Sequence, residues 1–162
     1  MTHSLYYKFI LGYLVFGLLG FASIATLSSR MTERDLIREQ ADSLYDEANQ
    51  IASTYSGMYH GKDMDLISSY PQLVGSAHYL HAQIWIIDRQ GKIVVDSDQS
   101  ERTGRVIDRF DPTAAGNKSY TIGTFYDQFT YDVLSVHAPI TGNYTTYGYV
   151  VIHMPLSVLQ NT

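Results

Sequence analysis

An uncharged segment near the amino terminus constrains this chain more than any other feature. Phe9 to Leu27 is a run of 19 residues without a charged side chain. As a helix with a rise of 1.5 Å per residue it would be about 28 Å long, close to the hydrocarbon thickness of a bilayer. Tyr6, Tyr7 and Lys8 precede the run, and such residues are typical of a membrane–water interface. The segment therefore predicts a transmembrane helix.

A cleaved signal peptide is the alternative interpretation of this run. Ser23-Ile24-Ala25 loosely fits a small-x-small cleavage site. The apolar core of a signal peptide is usually about 7–15 residues, however, and the run is longer. The length favours a retained anchor, while cleavage after Ala25 would release a secreted binding protein.

The basic residues around the span do not fix its orientation. Lys8 lies on one side, and Arg30, Arg34 and Arg38 lie on the other. A short leader ahead of a large translocated domain favours a cytoplasmic amino terminus. We expect residues 1–8 in the cytoplasm, 9–27 in the cell membrane, 28–159 as one extracytoplasmic domain, and 160–162 as the start of a connection to a second membrane helix.

The charge of the remaining chain excludes some partners. Without Lys8 it carries 10 basic and 16 acidic residues, a net charge of −6 with neutral histidines. This balance argues against nucleic acid and against a polybasic lipid-binding surface. The chain has no cysteine, which excludes disulfides and thiolate metal sites. The domain must therefore be stabilised by its core alone.

A long amphipathic helix is predicted directly after the membrane span, from Arg30 to about Tyr59. Its apolar seam alternates steps of four and three residues and consists of Ile37, Ala41, Leu44, Ala48, Ile51, Tyr55 and Met58. Two interpretations of the seam are open, because it can pair with the same helix of a second protomer or lie on its own domain's sheet. We expect the membrane-proximal part to form a homodimer and the distal part to pack on the sheet.

The best-defined strand pair is Ile84 to Asp98. Ile84 to Ile87 has no polar residue, which predicts a strand covered on both faces. Asp88-Arg89-Gln90-Gly91 suits a short hairpin turn, and Gly91 can adopt a positive φ. The following strand ends at Asp96-Ser97-Asp98, where it should reach solvent.

Three more strands are predicted after a polar loop from Gln99 to Lys118. They are Tyr120 to Phe125, Phe129 to Ile140 and Tyr147 to Met154, and a turn at Thr141 to Tyr144 joins the last two. Short helices are expected before the first strand, one of them stopped by Pro71 and another after it. The predicted fold class is α+β, a long N-terminal helix packed on a five-stranded antiparallel sheet.

The sequence carries no catalytic motif and predicts no cofactor. His153-Met154-Pro155-Leu156 superficially resembles a histidine kinase phosphoacceptor box, but it lies on a predicted strand without the acidic and basic neighbours of such a box. His78 and His81 are three residues apart, a spacing that suits two metal ligands on one helix face, but no third ligand is nearby. We therefore predict neither a catalytic nor a metal site in this chain.

A small polar pocket is the binding site that the strand pattern favours. Tyr131, Val133, Ser135 and His137 share one strand face by their period of two, while aliphatic residues line the other. We expect the mixed face to lie under the polar loop, at Arg105 and Arg109. The predicted ligand-binding residues are Arg105, Arg109, Tyr120, Tyr131 and His137.

Four stretches resemble the single-Cache (PAS-like, PDC) sensor domain found outside the membrane in bacterial histidine kinases. They are Ile84 to Asp98, Thr103-Gly104-Arg105, Val136-His137-Ala138-Pro139-Ile140, and Tyr147 to Leu156 with its Gly148-Tyr149-Val150 and closing Pro155-Leu156. The basic and hydroxyl set of carboxylate-binding members is not identifiable in this sequence. The resemblance implies a PAS-like sheet and a sensor domain, and leaves the ligand class open.

The resemblance also implies a function. The chain is expected to be the anchor and sensor domain of a two-component histidine kinase, which relays the state of a small-molecule or ion ligand through its membrane helix. Related sensors detect divalent cations with an acidic face. Acidic residues also surround the hairpin and loop here, where solvated loop acids are the favoured interpretation; they are Asp88, Asp96, Asp98, Glu101, Asp108 and Asp111. The alternatives are the sensor domain of a chemoreceptor or of a cyclic-dinucleotide enzyme, or a secreted small-ligand binding protein.

Overall fold

A computed structural model gives the fold. It describes residues 3–58, 66–98, 101–113 and 120–159. Residues 160–162, predicted to begin a connection to a second membrane helix, lie outside the described residues. The chain divides into two compact units, Met1–Glu39 and Gln40–Thr162.

The first unit consists of the early part of helix α1, which extends over His3–Met58. Its segment Tyr6–Thr26 has 21 residues, a mean hydropathy of 2.0 and no buried residue. By length and composition this segment can cross a membrane. Its orientation, its retention and the domain boundaries drawn from the sequence stay predictions.

The second unit contains a five-stranded sheet with every neighbouring pair antiparallel. Its elements after α1 are α2 (Leu66–Leu80), β1 (Gln83–Asp88), β2 (Ile93–Asp96), β3 (Tyr120–Gly123), β4 (Val133–Gly142), β5 (Thr145–Pro155) and α3 (Leu156–Leu159). The spatial order of the strands is β2-β1-β5-β4-β3. The predicted α+β class and five-stranded antiparallel sheet are confirmed.

The β1–β2 hairpin forms as the sequence predicts, except that Asp96, expected to reach solvent, is 2% exposed and accepts hydrogen bonds from Gln83 and Asp98. Residues 84–87 are all buried, and Gly91 has a φ of 82°. The Asp88 carboxylate accepts hydrogen bonds from the backbone N–H groups of Gln90 and Lys92, at 2.8 and 2.9 Å. These bonds fix the turn. Strand β1 lies in the interior of the sheet, between β2 and β5.

Several element boundaries differ from the prediction; β3, for example, ends at Gly123 and not at Phe125. Pro71 does not separate two helices, because it lies inside α2. Its missing N–H removes one hydrogen bond in the second turn, and the helix continues. The strand expected to begin at Phe129 begins at Val133, because the preceding residues Phe125, Tyr126 and Asp127 all have positive φ and form a turn.

The antiparallel register sorts side chains onto two faces of the sheet, since directly paired residues point to the same side. One face is aliphatic and includes Leu134, Val136, Ala138 and Ile140 of β4 together with their β5 partners Val150 and Ile152, all at most 1% exposed. We call it the helix-covered face. The seam of α1 is equally buried, and its buried members are Ala41, Leu44, Ala48, Ile51 and Tyr55.

Contacts near the helix ends show which elements cover this face. The Ser56 hydroxyl donates to the carbonyl of Thr141 at the end of β4, and α2 packs against β1. The distal seam of α1 is thus buried within a single chain, as predicted for that part. Ile37, nearer the membrane segment, is half-buried, and dimerisation there stays a prediction.

The opposite, loop-covered face is aromatic and polar. It includes Trp85 and Ile87 of β1, Val151 and His153 of β5, and Val133, Ser135 and His137 of β4. Ile107 and Phe129 from the connecting loops join its buried cluster, and Phe110, Phe125 and Tyr126 pack against it. Both sides of the central strands are therefore buried, but in different chemical surroundings.

Candidate ligand-binding site

His153 lies at the centre of an aromatic cluster on the loop-covered face. Its ring centroid is 4.3 Å from that of Trp85, 4.4 Å from Phe125 and 5.0 Å from Phe129. Trp85 and Phe129 stack with their planes 11° apart and their centroids 5.3 Å apart. Three rings thus enclose the imidazole, which is 1% exposed.

The surroundings of His153 determine its charge. Burial, with a smaller contribution from the positive charge of Arg102, lowers the pKa of the imidazole to about 3. Nδ1 is hydrogen-bonded to the Ser135 hydroxyl at 2.8 Å. His153 is therefore a neutral imidazole at physiological pH, with one ring nitrogen held by a buried serine.

Within the described residues, two buried polar atoms at this cluster have no hydrogen-bond partner, Nε2 of His153 and Nε1 of Trp85. Such a group in a protein interior costs about 1–3 kcal/mol, so native structures contain few of them. Both atoms belong to adjoining rings on one sheet face.

Arg102 brings a positive charge to the edge of the cluster. Its guanidinium carbon lies 5.1 Å from the centroid of Phe129 and 5.9 Å from that of Trp85. A guanidinium at these distances from aromatic rings makes a favourable cation–π contact. It also contributes to keeping His153 neutral, since a nearby like charge disfavours protonation.

A left-handed turn holds the two phenylalanines against the imidazole. Phe125, Tyr126 and Asp127 have φ values of 43°, 53° and 58°. The turn is closed by the N–H of Phe129, which donates to the carbonyl of Thr124 at 3.0 Å. Non-glycine residues in this region cost roughly 1–2 kcal/mol each. The wall of the cluster is therefore a strained segment.

A second loop supports that wall. The Tyr126 hydroxyl donates to the carbonyl of Asp111 at 3.0 Å, and the N–H of Asp111 lies 3.2 Å from the same hydroxyl. The Phe110 ring packs edge-on against Tyr126 and Tyr149, with centroids 6.0 and 5.7 Å apart. The two loops therefore cover the sheet as a connected layer.

A cavity of about 300 Å³ adjoins the cluster beside His153. Strand and loop residues that line it include Gln83, Ser97, Asp98, Phe129, Tyr131, Val133, His153 and Pro155. The C-terminal end of α2 and the residues after it contribute Val74, Ala77, His78, His81 and Ala82. Its volume is at the lower end of the range for small-molecule pockets.

The polar groups of the cavity are partly fixed by bonds among themselves. The Gln83 amide donates to Oδ1 of the buried Asp96 at 2.8 Å, and the N–H of Asp98 donates to the same oxygen at 3.0 Å. The Ser97 hydroxyl accepts from the N–H of Ile84 at 2.9 Å. These bonds hold Gln83, Ser97 and Asp98 in place at one wall.

The structure does not bring the five predicted site residues together. Tyr131 lines the cavity and is half exposed. Tyr120 pairs with Val136, so it lies on the helix-covered side of β3, opposite to His137. Arg105 and Arg109 are exposed, and the only ion pair of Arg109 found in the described residues is a 3.9 Å contact with Asp108.

His137 is on the expected face but away from the cavity lining. Its ring centroid is 6.3 Å from that of Tyr149, and burial lowers its pKa, which a hydrogen bond to the backbone of Pro112 partly offsets. A role for His137, Tyr120 and the two arginines in binding stays a prediction. Within the described residues no group of three His, Cys, Asp or Glu side chains is placed to hold a metal ion.

Sequence reasoning missed His153 and Phe129 as site residues. His153 was interpreted as a strand-end histidine, yet it lies within β5 and is fully covered. The available signal was the run Val150 to Met154, which is apolar on both sides of a single histidine. A histidine in a strand buried on both faces needs partners for two ring nitrogens.

Comparisons with known proteins match the fold. No family model matches the chain, and no curated protein sequence matches it. The sensor domain of the V. cholerae histidine kinase DctB aligns with a TM-score of 0.51 and 19% identity, over 85% of this chain and 58% of that one. The E. coli DcuS sensor domain aligns with a TM-score of 0.54 and 17% identity, over 76% of this chain and 96% of that one.

The fold is that of a PAS-like extracytoplasmic sensor domain. At these identities the likeness concerns the fold, and this chain spans a little over half of the DctB domain. The ligand-binding domain of a C. jejuni chemoreceptor, in complex with 4-methylisoleucine, aligns with a TM-score of 0.48 and 16% identity over 83% of this chain and 61% of that one.

Proposed function

We propose that the chain is the membrane anchor and extracytoplasmic sensor domain of a two-component histidine kinase, and that its ligand binds in the cavity beside His153. The observation that carries the binding site is the unpartnered Nε2 of a fully buried imidazole that lines this cavity. The fold likeness to the DctB and DcuS sensor domains supports the sensor role.

Signal output is expected to use the strained wall of the site. The turn at Phe125–Asp127 holds Phe125 and Phe129 against His153 in an unfavourable backbone conformation. A ligand that contacts His153 and Phe129 would favour one arrangement of this turn over another. Only such differential binding can shift a conformational equilibrium, and the neighbouring sheet would transmit the shift.

A thermal-shift screen of small acids, amines and divalent ions tests the binding site. At a hundredfold excess over its dissociation constant, a ligand stabilises the native state by about 2.7 kcal/mol, enough to raise the melting temperature by several degrees. We expect a hit whose effect Tyr131→Ala removes. Tyr144→Ala is the matched control, because Tyr144 is fully exposed in the β4–β5 turn. A hit that Tyr131→Ala leaves unchanged would refute this binding site.

The histidine kinase assignment has a separate test in the gene. A second hydrophobic span and a phosphoacceptor histidine encoded after Thr162 would support it. Methylation helices in that place would make the parent a chemoreceptor, and a nucleotide-cyclase domain would make it a cyclic-dinucleotide enzyme. Either outcome would overturn the kinase assignment and leave the ligand site in place.

A further inference from the structure

The free nitrogen of His153 is a hydrogen-bond donor. The Ser135 hydroxyl has no other hydrogen bond within the described part of the chain, so its bond to Nδ1 decides the tautomer. If the hydroxyl donates to Nδ1, a single group stays unpaired, the Nε2–H. If Nδ1–H donates instead, both the hydroxyl hydrogen and the Nε2 lone pair are buried without partners. The first arrangement is favoured because fewer buried groups are unpaired.

The charges that line the cavity have one sign. Asp98 lines it, and no lysine or arginine is among the described residues that do so. Arg102, the cation near His153, lies over the rings of Phe129 and Trp85 and is not part of the lining. Because a charge removed from water needs an opposite charge nearby, the lining favours a cationic ligand and disfavours a carboxylate.

Aromatic side chains form the remaining wall. Phe129 and Tyr131 both line the cavity, with ring centroids 5.6 Å apart and planes tilted by 56°. Tyr131 is half exposed and Phe129 is 4% exposed, so the pair extends from solvent to the buried imidazole. Aromatic faces attract ammonium groups. His78 and His81 also line the cavity and offer ring nitrogens to N–H donors.

We propose that this cavity binds a small ammonium compound with an uncharged oxygen acceptor, of which an amino alcohol is the simplest case. The ammonium group lies between the Asp98 carboxylate and the rings of Phe129 and Tyr131. The oxygen accepts the hydrogen bond of His153 Nε2–H, an atom that is buried in the structure and that a small shift of the neighbouring rings would open to the cavity. This inference rests on the proposed function, since it names the ligand class of the same site.

Trp85 is a built-in reporter for the test, because it is the chain's single tryptophan and lies against His153. The full chain in detergent micelles is titrated with ethanolamine, glycine and succinate, and Trp85 fluorescence and the melting temperature are recorded. We expect ethanolamine to bind more tightly than glycine, and succinate not to bind. The melting temperature should rise by several degrees at a hundredfold excess over the dissociation constant.

Four variants assign the contacts. Asp98→Asn should weaken ethanolamine binding about tenfold or more, the effect of losing a charge-assisted contact. His153→Phe should abolish binding, whereas His153→Gln should retain part of it, because the Gln amide offers an N–H donor without titrating. Asp108→Asn is the matched control, since the Asp108 carboxylate is 96% exposed and does not line the cavity.

The outcomes separate the ligand class from the site. Tighter binding of glycine or succinate than of ethanolamine, lost in Tyr131→Ala, would overturn the ammonium class and leave the binding site standing. Equal weakening by Asp98→Asn and Asp108→Asn would also overturn it, because a general charge effect would then explain the binding. Ethanolamine binding unaffected by Tyr131→Ala and His153→Phe would overturn the site itself.

Discussion

The two faces of the sheet both contain buried strand residues, but they differ in the chemistry of the side chains that they bury. On the helix-covered face, Leu134, Val136, Ala138 and Ile140 present only aliphatic groups, each at most 1% exposed. On the loop-covered face, the same strand β4 presents Ser135 and His137, and β5 adds His153. One face contains the aliphatic core, while the other contains polar groups and aromatic rings.

The difference between the two faces is also a difference in folding free energy. The loop-covered face holds two unpartnered buried polar atoms and a turn with three consecutive residues at positive φ. Each unpaired atom costs about 1–3 kcal/mol, and each strained residue about 1–2 kcal/mol. A protein tolerates such costs where function requires them. The helix-covered face therefore supplies stability, and the unfavourable groups lie on the loop-covered face, where we propose the binding site.

The largest expected effect comes from a substitution in α1 that disrupts the packing on the helix-covered face. Leu44 in α1 is fully buried, so Leu44→Asp places a carboxylate against aliphatic side chains without a partner. We expect a loss of about 4 kcal/mol or more, a large share of the stability of a domain of this size. Thermal unfolding of the full chain followed by circular dichroism measures it.

Leu36→Asp is the matched control for this substitution. Leu36 is 57% exposed on the same helix, so the same chemical change should alter the melting temperature little. Equal melting temperatures for the Leu44→Asp and wild-type proteins would show that α1 does not stabilise the domain. The assignment of α1 to this face would then be wrong.

A smaller effect, specific to the loop-covered face, is a loss of stability in acid. The pKa of His153 falls from 6.5 to about 3 in the folded protein because the imidazole is buried. The unfolded chain therefore binds one more proton between these values. Stability is complete above about pH 6.5 and should fall by about 1.4 kcal/mol per pH unit below it. His137, whose pKa burial also lowers, acts in the same direction.

The control for this pH dependence is a double variant that removes His153 and its hydrogen-bond partner Ser135. Replacing Ser135 with Ala and His153 with Phe together eliminates the buried hydrogen bond and both of its polar groups. Such a double replacement is often close to neutral for stability. We expect the melting temperature of this variant to change less between pH 7 and 4.5 than that of the wild type. We also expect no ligand-induced shift of its melting temperature. An unchanged slope would mean that His153 is not the group responsible.

The architecture was predictable because its signals are local. The apolar run Ile84–Ile87, the turn that ends at Gly91 and the seam around Leu44 each follow from residue periodicity, and the structure confirms all three. The alternation along β4 likewise separates Leu134 from Ser135. Each of these features follows from the pattern of apolar and polar residues within a short segment of the sequence.

The site was less predictable because it depends on register. The sequence predicted a turn at Thr141–Tyr144 but not which residues of the two strands pair. The structure has a two-residue turn at Asn143 and Tyr144, both at positive φ, and a register shift between Ile140 and Thr141. Ser135 is therefore paired with His153. A shift by an odd number of residues exchanges the faces of a strand, so a local turn decides which residues meet.

The smallest expected effect concerns the loop arginines that the sequence placed in the site. Arg105 and Arg109 are exposed, and the 3.9 Å contact of Arg109 with Asp108 joins two side chains that are 91% and 96% exposed. An exposed ion pair contributes little, so Arg105→Ala and Arg109→Ala should each change stability by less than about 0.5 kcal/mol.

Ligand-induced melting shifts should persist in both variants and disappear in Tyr131→Ala, because only Tyr131 among these three lines the cavity. A ligand response lost in Arg105→Ala or Arg109→Ala would instead extend the site to the loop that contains these arginines, and would favour an anionic ligand.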